Sequence, residues 1–364
     1  MASVSIKTVA ARVGVSFQTA SKVLNGKGSV SGETRQRILD AASQLGYVPN
    51  AVARGLVTRS TRTVGVVASD LSDDVLAQFV VGAEREARRQ GHSVIISIVG
   101  PDGGDGERYL RALIERRVEG ILLAAPELER QPGIGQLLGP SVPVVSIHAV
   151  PGARVTLVGS NHVETGLLAT RHLLAHGHRR IGTIIGPRSR RVVHSRLHGY
   201  EQALDEAGIR FDADLVEEGD WHVAGGHAAA ARLLDRAPDL TALFVQNDTM
   251  AIGVLSLLHQ RGRPAPDGCA LVGCDDIPAA RHTIPPLSTI RIPLYETGAT
   301  AMRLLLDRIA EPAAEPERVL LPVGLLARSS CGCVASGEER EVRGEGTAPA
   351  TTPSRGLDSA IRAE

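Results

Sequence analysis

The chain has 364 residues, with 40 Lys plus Arg against 40 Asp plus Glu, 43% apolar residues and 2% aromatics. That length holds two or three domains with a sizeable core, and an apolar share near the globular average excludes disorder over most of the chain. No run approaches the ~20 apolar residues of a membrane span. The opening MASVSIKTVAARVGVS lacks a signal-peptide layout, and Cys269, Cys274, Cys331 and Cys333 form no C-x-x-C pair, so a reducing cytoplasm is expected.

The zero net charge is a sum of unequal parts. Residues 1–62 hold nine Lys/Arg against two acids, hence +7, which leaves −7 on the other 302 residues. The basic segment is the natural contact for a polyanion. Ile6, Val9, Ala10 and Val13 recur at helical spacing until Gly14 interrupts them. Ser16 is placed to cap a second helix over 17–24, ahead of the turn Asn25-Gly26-Lys27-Gly28. Ser31 caps a third, with Ile38, Ala41, Ala42 and Leu45 on its apolar face and Gly46 as its stop. Helix, glycine turn, then a helix polar at its start is a helix-turn-helix layout. A short helical piece over 50–57, with Asn50 as its cap, follows Tyr47-Val48-Pro49.

From residue 63 the rhythm changes. Strand-length apolar runs at 63–68, 93–98, 120–124, 142–147, 180–185, 242–245 and 270–273 alternate with amphipathic stretches. The latter fall at 75–90, 107–117, 164–176, 193–207, 224–236, 249–261 and 296–309. Alternating βα units imply parallel sheets flanked by helices, and this many units implies two sheets. From Cys331 onward the chain is polar and aperiodic, and 331–364 is read as disordered.

The stretches VSIKTVAARVGVSFQTASKVLNGK, VSGETRQRILDAA, LGYVPNAVARGL and TRTVGVV resemble the lactose/galactose repressor (LacI/GalR) family of bacterial transcription regulators. The similarity runs on through LLAHGHRRI, HGYEQAL, EEGDW, FVQNDTMAIG, VGCDD and PPLSTIR. It implies an all-α helix-turn-helix headpiece over 1–49, a hinge helix and linker over 50–62, and an α/β core over 63–330. The core is expected to be periplasmic-binding-protein-like, with two parallel-sheet subdomains. One spans 63–160 plus 291–318, the other 161–290 plus 319–330.

The resemblance also assigns residues. Ser16, Phe17, Gln18 and Thr19 at the start of the second helix, with Ser21, Lys22 and Asn25 further along, face operator DNA. Gln pairs bidentately with adenine and Lys donates to guanine, whereas Phe17 serves either the groove or simple packing. The family usually has Arg at Lys22, and Lys lacks the planar fork. In the hinge, Asn50 caps, Ala53 meets its two-fold mate, Arg54 reaches phosphate or groove, and Leu56 wedges between base pairs. In the core, Ser69, Asp70, His148, Arg196, Trp221, Asn247 and Asp275 line an effector cleft at the carboxyl ends of strands. Their chemistry suits a sugar: carboxylates and amides for hydroxyls, an Arg fork, and a Trp ring face. Asp276 beside Asp275 is either a cleft residue or a cap, and Arg188, Arg190 and Arg191 read as a solvated loop or as charge for an anionic sugar. The chain departs from the family in having Ser72-Asp73-Asp74-Val75-Leu76 where many members place aromatics, and His148-Ala149 where many have Asp-Arg.

The expectation is therefore a sequence-specific repressor that binds a pseudo-palindromic operator as a homodimer under control of a small molecule, a sugar or sugar derivative. It is expected in the cytoplasm, nucleoid-associated through its operator, with no membrane partner. Sugar transport is opposed by the basic headpiece. Enzymatic chemistry is opposed by the lack of an assembled nucleophile, and no G-x-S-x-G elbow is present. No cofactor and no metal are expected: His172 and His176 have i, i+4 spacing beside His178, but no carboxylate or Cys completes a ligand set, and the stretch matches an ordinary family helix-to-strand turn.

Overall fold

The computed structural model describes residues 4–26, 28–48, 60–71, 74–100, 103–131, 133–138, 142–150, 152–333, 340–343 and 352–353. The chain divides into two units, Met1–Arg62 and Thr63–Glu364.

In the first unit, α1 (Ile6–Val13) starts at a capping box in which Ser5 Oγ accepts from the Thr8 amide and Thr8 Oγ1 accepts from the Ser5 amide. Gly14, at φ +74°, ends it. The second helix, α2 (Phe17–Leu24), is capped by Ser16, whose Oγ accepts from the Thr19 amide at 3.1 Å. The third, α3 (Gly32–Gln44), is capped by Ser31. Each such cap is worth about 1 kcal/mol, which matters in so small a unit. Val9, Val23, Ile38, Ala41 and Ala42 form the core where the three helices meet, and Ala20 is buried as well. Arg37 on α3 donates to the Val13 carbonyl at 2.9 Å, tying the third helix to the turn between the first two.

The second unit holds two sheets of matching strand order. The first contains β1 (Thr63–Ala68), β2 (Ser93–Ile98), β3 (Ile121–Ala124), β4 (Val144–Ser146) and β5 (Thr156–Ser160), in the order β2-β1-β3-β4-β5. The second contains β6 (Ile181–Ile185), β7 (Val216–Glu218), β8 (Ala242–Val245), β9 (Ala270–Asp275) and β10 (Ser288–Arg291), in the order β7-β6-β8-β9-β10. All these neighbours are parallel. The central strands are buried almost throughout because helices cover both faces, which is why they read as continuous apolar runs.

Around the first sheet lie α4 (Asp74–Arg89), α5 (Gly106–Glu115) and the short α6 (Ile134–Leu137). Around the second lie α7 (His162–Ala175), α8 (Arg191–Glu206), α9 (Val223–Arg236) and α10 (Asp248–Gln260). The chain crosses between lobes three times. After β5 it enters α7. After β10 it returns as α11 (Leu294–Ala310), which packs on α4, and as β11 (Glu317–Leu321), parallel to β5. The last crossing falls at Pro322-Val323, beyond the expected boundary at 318, because β11 runs on until Pro322 removes a ladder N–H. It leads to β12 (Gly324–Ala327), antiparallel to β10.

Three helix pairs, α4–α11, α7–α8 and α9–α10, approach through glycines. A Cβ on Gly82 would lie 2.1 Å from the Tyr295 carbonyl oxygen, one on Gly199 1.9 Å from that of Val163, and one on Gly253 2.0 Å from that of Val223. No side chain fits at those crossings.

The region expected to be a disordered tail departs from that reading where it is described. Cys331 is buried in the turn Ser329–Cys331. Arg340–Arg343 (β13) pairs antiparallel with β12, and Thr352–Pro353 (β14) pairs antiparallel with β11. An open sheet edge recruits a strand through backbone groups alone, so the segment needs no apolar pattern to pair.

Candidate functional site

On α2 the two faces separate cleanly. Ala20 and Val23 are buried, while Phe17 (50% exposed), Gln18, Lys22 and Asn25 are exposed. Phe17 is therefore not a core residue of the headpiece. Ser16 and Thr19 are engaged with each other at 2.8 Å, and Asn25 Nδ2 donates to the Ser21 carbonyl at 2.8 Å. These four shape the helix ends and leave Gln18 and Lys22 as the outward polar side chains. Asn50, Ala53, Arg54 and Leu56, together with Lys27, Ser72 and Asp73, lie outside the described residues.

In the core, the sequence-predicted residues gather where strands end, as parallel αβ sheets dictate. Arg196 on α8 is 5% exposed; it donates to the Gln246 carbonyl and to Asp275 Oδ1, the latter at 3.4 Å. Asp275 and Asp276, closing β9, have φ +113° and +57°. Two successive positive φ values cost on the order of 1–3 kcal/mol each and turn the neighbouring carboxylates apart. Asp275 meets Arg196, whereas Asp276 pairs with Arg328 at 2.7 Å, so Asp276 is neither a cap nor a partner of Arg196. Asn247 accepts from the Met250 amide at 2.9 Å as the cap of α10 and donates to the Trp221 carbonyl at 3.0 Å.

Trp221, half-buried at φ +73°, lies against Gly186, where a Cβ would come within 2.1 Å of the ring. Its other neighbours are Ile185, Val193 and Val216, so the ring is seated as well as presented.

The first lobe contributes less. Ser69, just after β1, donates to the Glu127 carboxylate, and Asp70 beside it is exposed. Glu127 accepts from Arg190 at 2.5 Å. Glu127 follows β3 and Arg190 precedes α8, so this pair spans the two lobes. Arg190 is accordingly no merely solvated loop charge: its side chain is 24% exposed. Nearby Glu129 has its carboxyl raised by burial against the pull of Arg191 and Arg190. Burial pushes His148 down to about 4, leaving it neutral at pH 7. Burial, then Arg196, pushes His162 at the start of α7 down to about 3.

Sequence reasoning missed Glu127, His162 and Asp248. Asp248 is wholly buried, accepting from the Ile277 amide at 3.0 Å and Thr289 Oγ1 at 2.6 Å, and burial followed by Asp275 raises its carboxyl well above the usual range. It fixes the loop that carries Asp275. The only sequence signal was its place beside Asn247 at a strand end. Among the described residues, His148 Nε2, His162 Nδ1, Arg196 Nε and Gln246 Oε1 are buried without a hydrogen-bond partner. Buried polar groups are normally matched, and unmatched ones beside a cleft suit a polar ligand.

A helix-turn-helix unit joined to a two-lobed αβ core, with buried polar side chains gathered at the carboxyl ends of its strands, defines a DNA-binding transcription regulator built on a ligand-binding scaffold. The chain belongs to the lacI family of bacterial regulatory proteins, whose model matches residues 5–50, and a periplasmic binding protein-like domain matches residues 170–331. It is 37% identical over 335 residues to the HTH-type transcriptional regulator CelR of Thermobifida fusca, covering 90% of this chain and 98% of that protein. It is 32% identical over 330 residues to the HTH-type transcriptional repressor PurR of Haemophilus influenzae (strain PittEE), covering 90% and 98%. Among solved structures, a lac repressor dimer bound to operator and the anti-inducer ONPF superposes with TM-score 0.84 at 29% identity, covering 91% and 99%. A CelR–cellobiose complex does so with TM-score 0.69 at 36% identity, covering 90% and 99%. This is a family of transcription regulators, not of enzymes. No helix of the described residues is long and apolar enough to cross a membrane.

Proposed function

We propose that this regulator represses transcription as a cytoplasmic homodimer on a pseudo-palindromic operator, and that a carbohydrate bound between the core lobes controls it. Gln18 and Lys22 read bases, Phe17 contacts the groove, and the +7 of residues 1–62 supplies salt-dependent affinity for phosphate. Leu56 kinks the operator from a paired hinge, with Asn50, Ala53 and Arg54 beside it. The effector sits against Trp221, hydrogen-bonded by the Arg196–Asp275 pair and by Ser69, Asp70, His148 and Asn247.

The observation that carries the reading is that Arg196 Nε, with Gln246 Oε1 and His162 Nδ1 near it, is buried without a partner in the lobe that holds Trp221. Hydroxyl groups both donate and accept, and one ring face suits a pyranose. A single Trp among polar groups is poorer ground for a purine, which gains most from stacking on both faces. The cellobiose held by the CelR relative supports the same class.

Trp221 is the only Trp, so its emission reports on this cleft alone. Titration with cellobiose, ribose and hypoxanthine is expected to shift emission with a sugar. A response to hypoxanthine alone contradicts the carbohydrate reading.

A further inference from the structure

No metal is expected from the sequence, but the fold brings together a ligand set from two distant segments. His172 lies in the last turn of α7 and His176 caps its C-terminus one turn on, with ring centroids 4.6 Å apart. The turn that follows β12 brings Cys331 and Cys333 onto them: Cys333 Sγ lies 3.6 Å from His172 Nε2 and 3.3 Å from His176 Nε2. One donor atom from each of the four residues falls within 4.8 Å of every other. Gly332, at φ +90°, permits the tight Cys-Gly-Cys turn that directs both sulfurs to one side. His178 takes no part, since its Nδ1 is 3.1 Å from Thr241 Oγ1.

We propose that His172, His176, Cys331 and Cys333 form a structural tetrahedral zinc site. With Zn–S of about 2.3 Å and Zn–N of about 2.0–2.1 Å, a tetrahedral ion holds its sulfur and nitrogen ligands about 3.6 Å apart. The two measured sulfur–nitrogen separations lie around that value. Two thiolates and two imidazoles are a donor set that selects zinc over hard cations, and with four protein ligands the site is closed to catalysis. Binding one Zn2+ releases the two thiol protons and leaves the imidazoles neutral, coordinated through Nε2. Ser288 Oγ donates to Cys331 Sγ at 3.0 Å, an outer hydrogen bond that stabilises sulfur as thiolate.

The ion would clamp the end of α7 to a turn 157 and 161 residues later in the chain. It would also fix where the C-terminal segment departs. The site lies where α7 runs into β6, at the amino ends of the second sheet's strands, whereas the effector cleft lies at their carboxyl ends. The effect of metal is therefore on stability and not on effector recognition.

The test uses the full chain without a polyhistidine tag, expressed with added zinc and dialysed under reducing conditions. Elemental analysis is expected to give one zinc per chain, and Co2+ substitution a tetrahedral visible spectrum with a thiolate charge-transfer band. Cys333→Ser and His176→Gln, at half-buried and exposed positions, are expected to lose the zinc while keeping the helical circular dichroism of the parent. Chelation is expected to lower the melting temperature of the parent and leave both variants unmoved. A folded parent that retains no zinc and gives a cobalt spectrum without thiolate features overturns the site. So does a Cys331–Cys333 disulfide in the reduced preparation, or full zinc retention in both variants.

Discussion

The two lobes of the core share one strand order and differ in what they bring to the cleft. The second supplies an interlocked set: Arg196 held by Asp275 and Gln246, Asn247 held to Trp221, and Asp248 pinning the loop of Asp275. The first supplies Ser69 and Glu127, one of which is already reaching across to Arg190, and a neutral His148. Under the proposed function, the second lobe would hold the ligand and the first would close over it.

The largest expected effect is on Arg196. A hydrogen bond to a charged group is worth about 1.5–3 kcal/mol, and about 1.4 kcal/mol is tenfold in affinity. Arg196→Ala is expected to weaken sugar binding by about 10- to 100-fold in a Trp221 titration. An unchanged affinity removes the second lobe from its leading role.

The helix crossings sharpen the contrast. Gly82→Ala and Gly199→Ala introduce equivalent clashes, at 2.1 Å and 1.9 Å from carbonyl oxygens, in the first and second lobes. Each is expected to cost about 1–3 kcal/mol in urea unfolding. Only Gly199→Ala displaces α8, which carries Arg196, so only it is expected to weaken sugar binding as well. Equal effects of the two on binding would erase the distinction.

Acid probes one histidine from each lobe. His148 and His162 are neutral when folded, pushed down to about 4 and about 3 from an ordinary 6.5. The unfolded chain takes up protons below pH 6.5 that the folded chain refuses. Stability is therefore full above that pH and falls as the pH drops toward 4, by about 1.4 kcal/mol per unit for each histidine. His148→Asn and His162→Asn are each expected to flatten that slope in unfolding measured between pH 6.5 and 4.5. A slope unchanged by both contradicts their burial as neutral groups.

The smallest effect is on Glu127→Gln, which removes one charge from the bridge between lobes. Gln keeps an acceptor for Ser69 and Arg190 and removes only the charge, a change of about 1 kcal/mol. Sugar affinity is expected to change by less than tenfold, with the operator response altered more than the affinity. A loss as large as that of Arg196→Ala would make the first lobe an equal partner in recognition.

Much of this was legible in the residues. The apolar runs at 63–68, 93–98 and 242–245 coincide with β1, β2 and β8, and Ser16, Ser31 and Gly46 act where caps and stops were expected. Strands β7 and β10 escaped because three or four residues carrying Glu, Ser, Thr or Arg show no apolar run. Of the cleft, the residues at strand ends could be read, but Glu127 could not, since its partner Arg190 is 63 residues away. The Cys–His cluster was hidden for the same reason: spacing rules look along the chain, and its halves meet only after the lobe has folded. The split of zero net charge into +7 and −7 was in the sequence from the start. What it could not show was how differently two lobes of one topology arrange their polar side chains.

The central claim is that one sugar, held by the second lobe, changes operator binding. It is tested most directly by titrating sugar into the operator-bound protein while following Trp221 emission and DNA anisotropy together. The account predicts both signals moving over one concentration range, and both lost in Arg196→Ala with operator affinity intact in the absence of sugar. Anisotropy that changes with Trp221 silent, or an Arg196→Ala variant that responds like the parent, would contradict it.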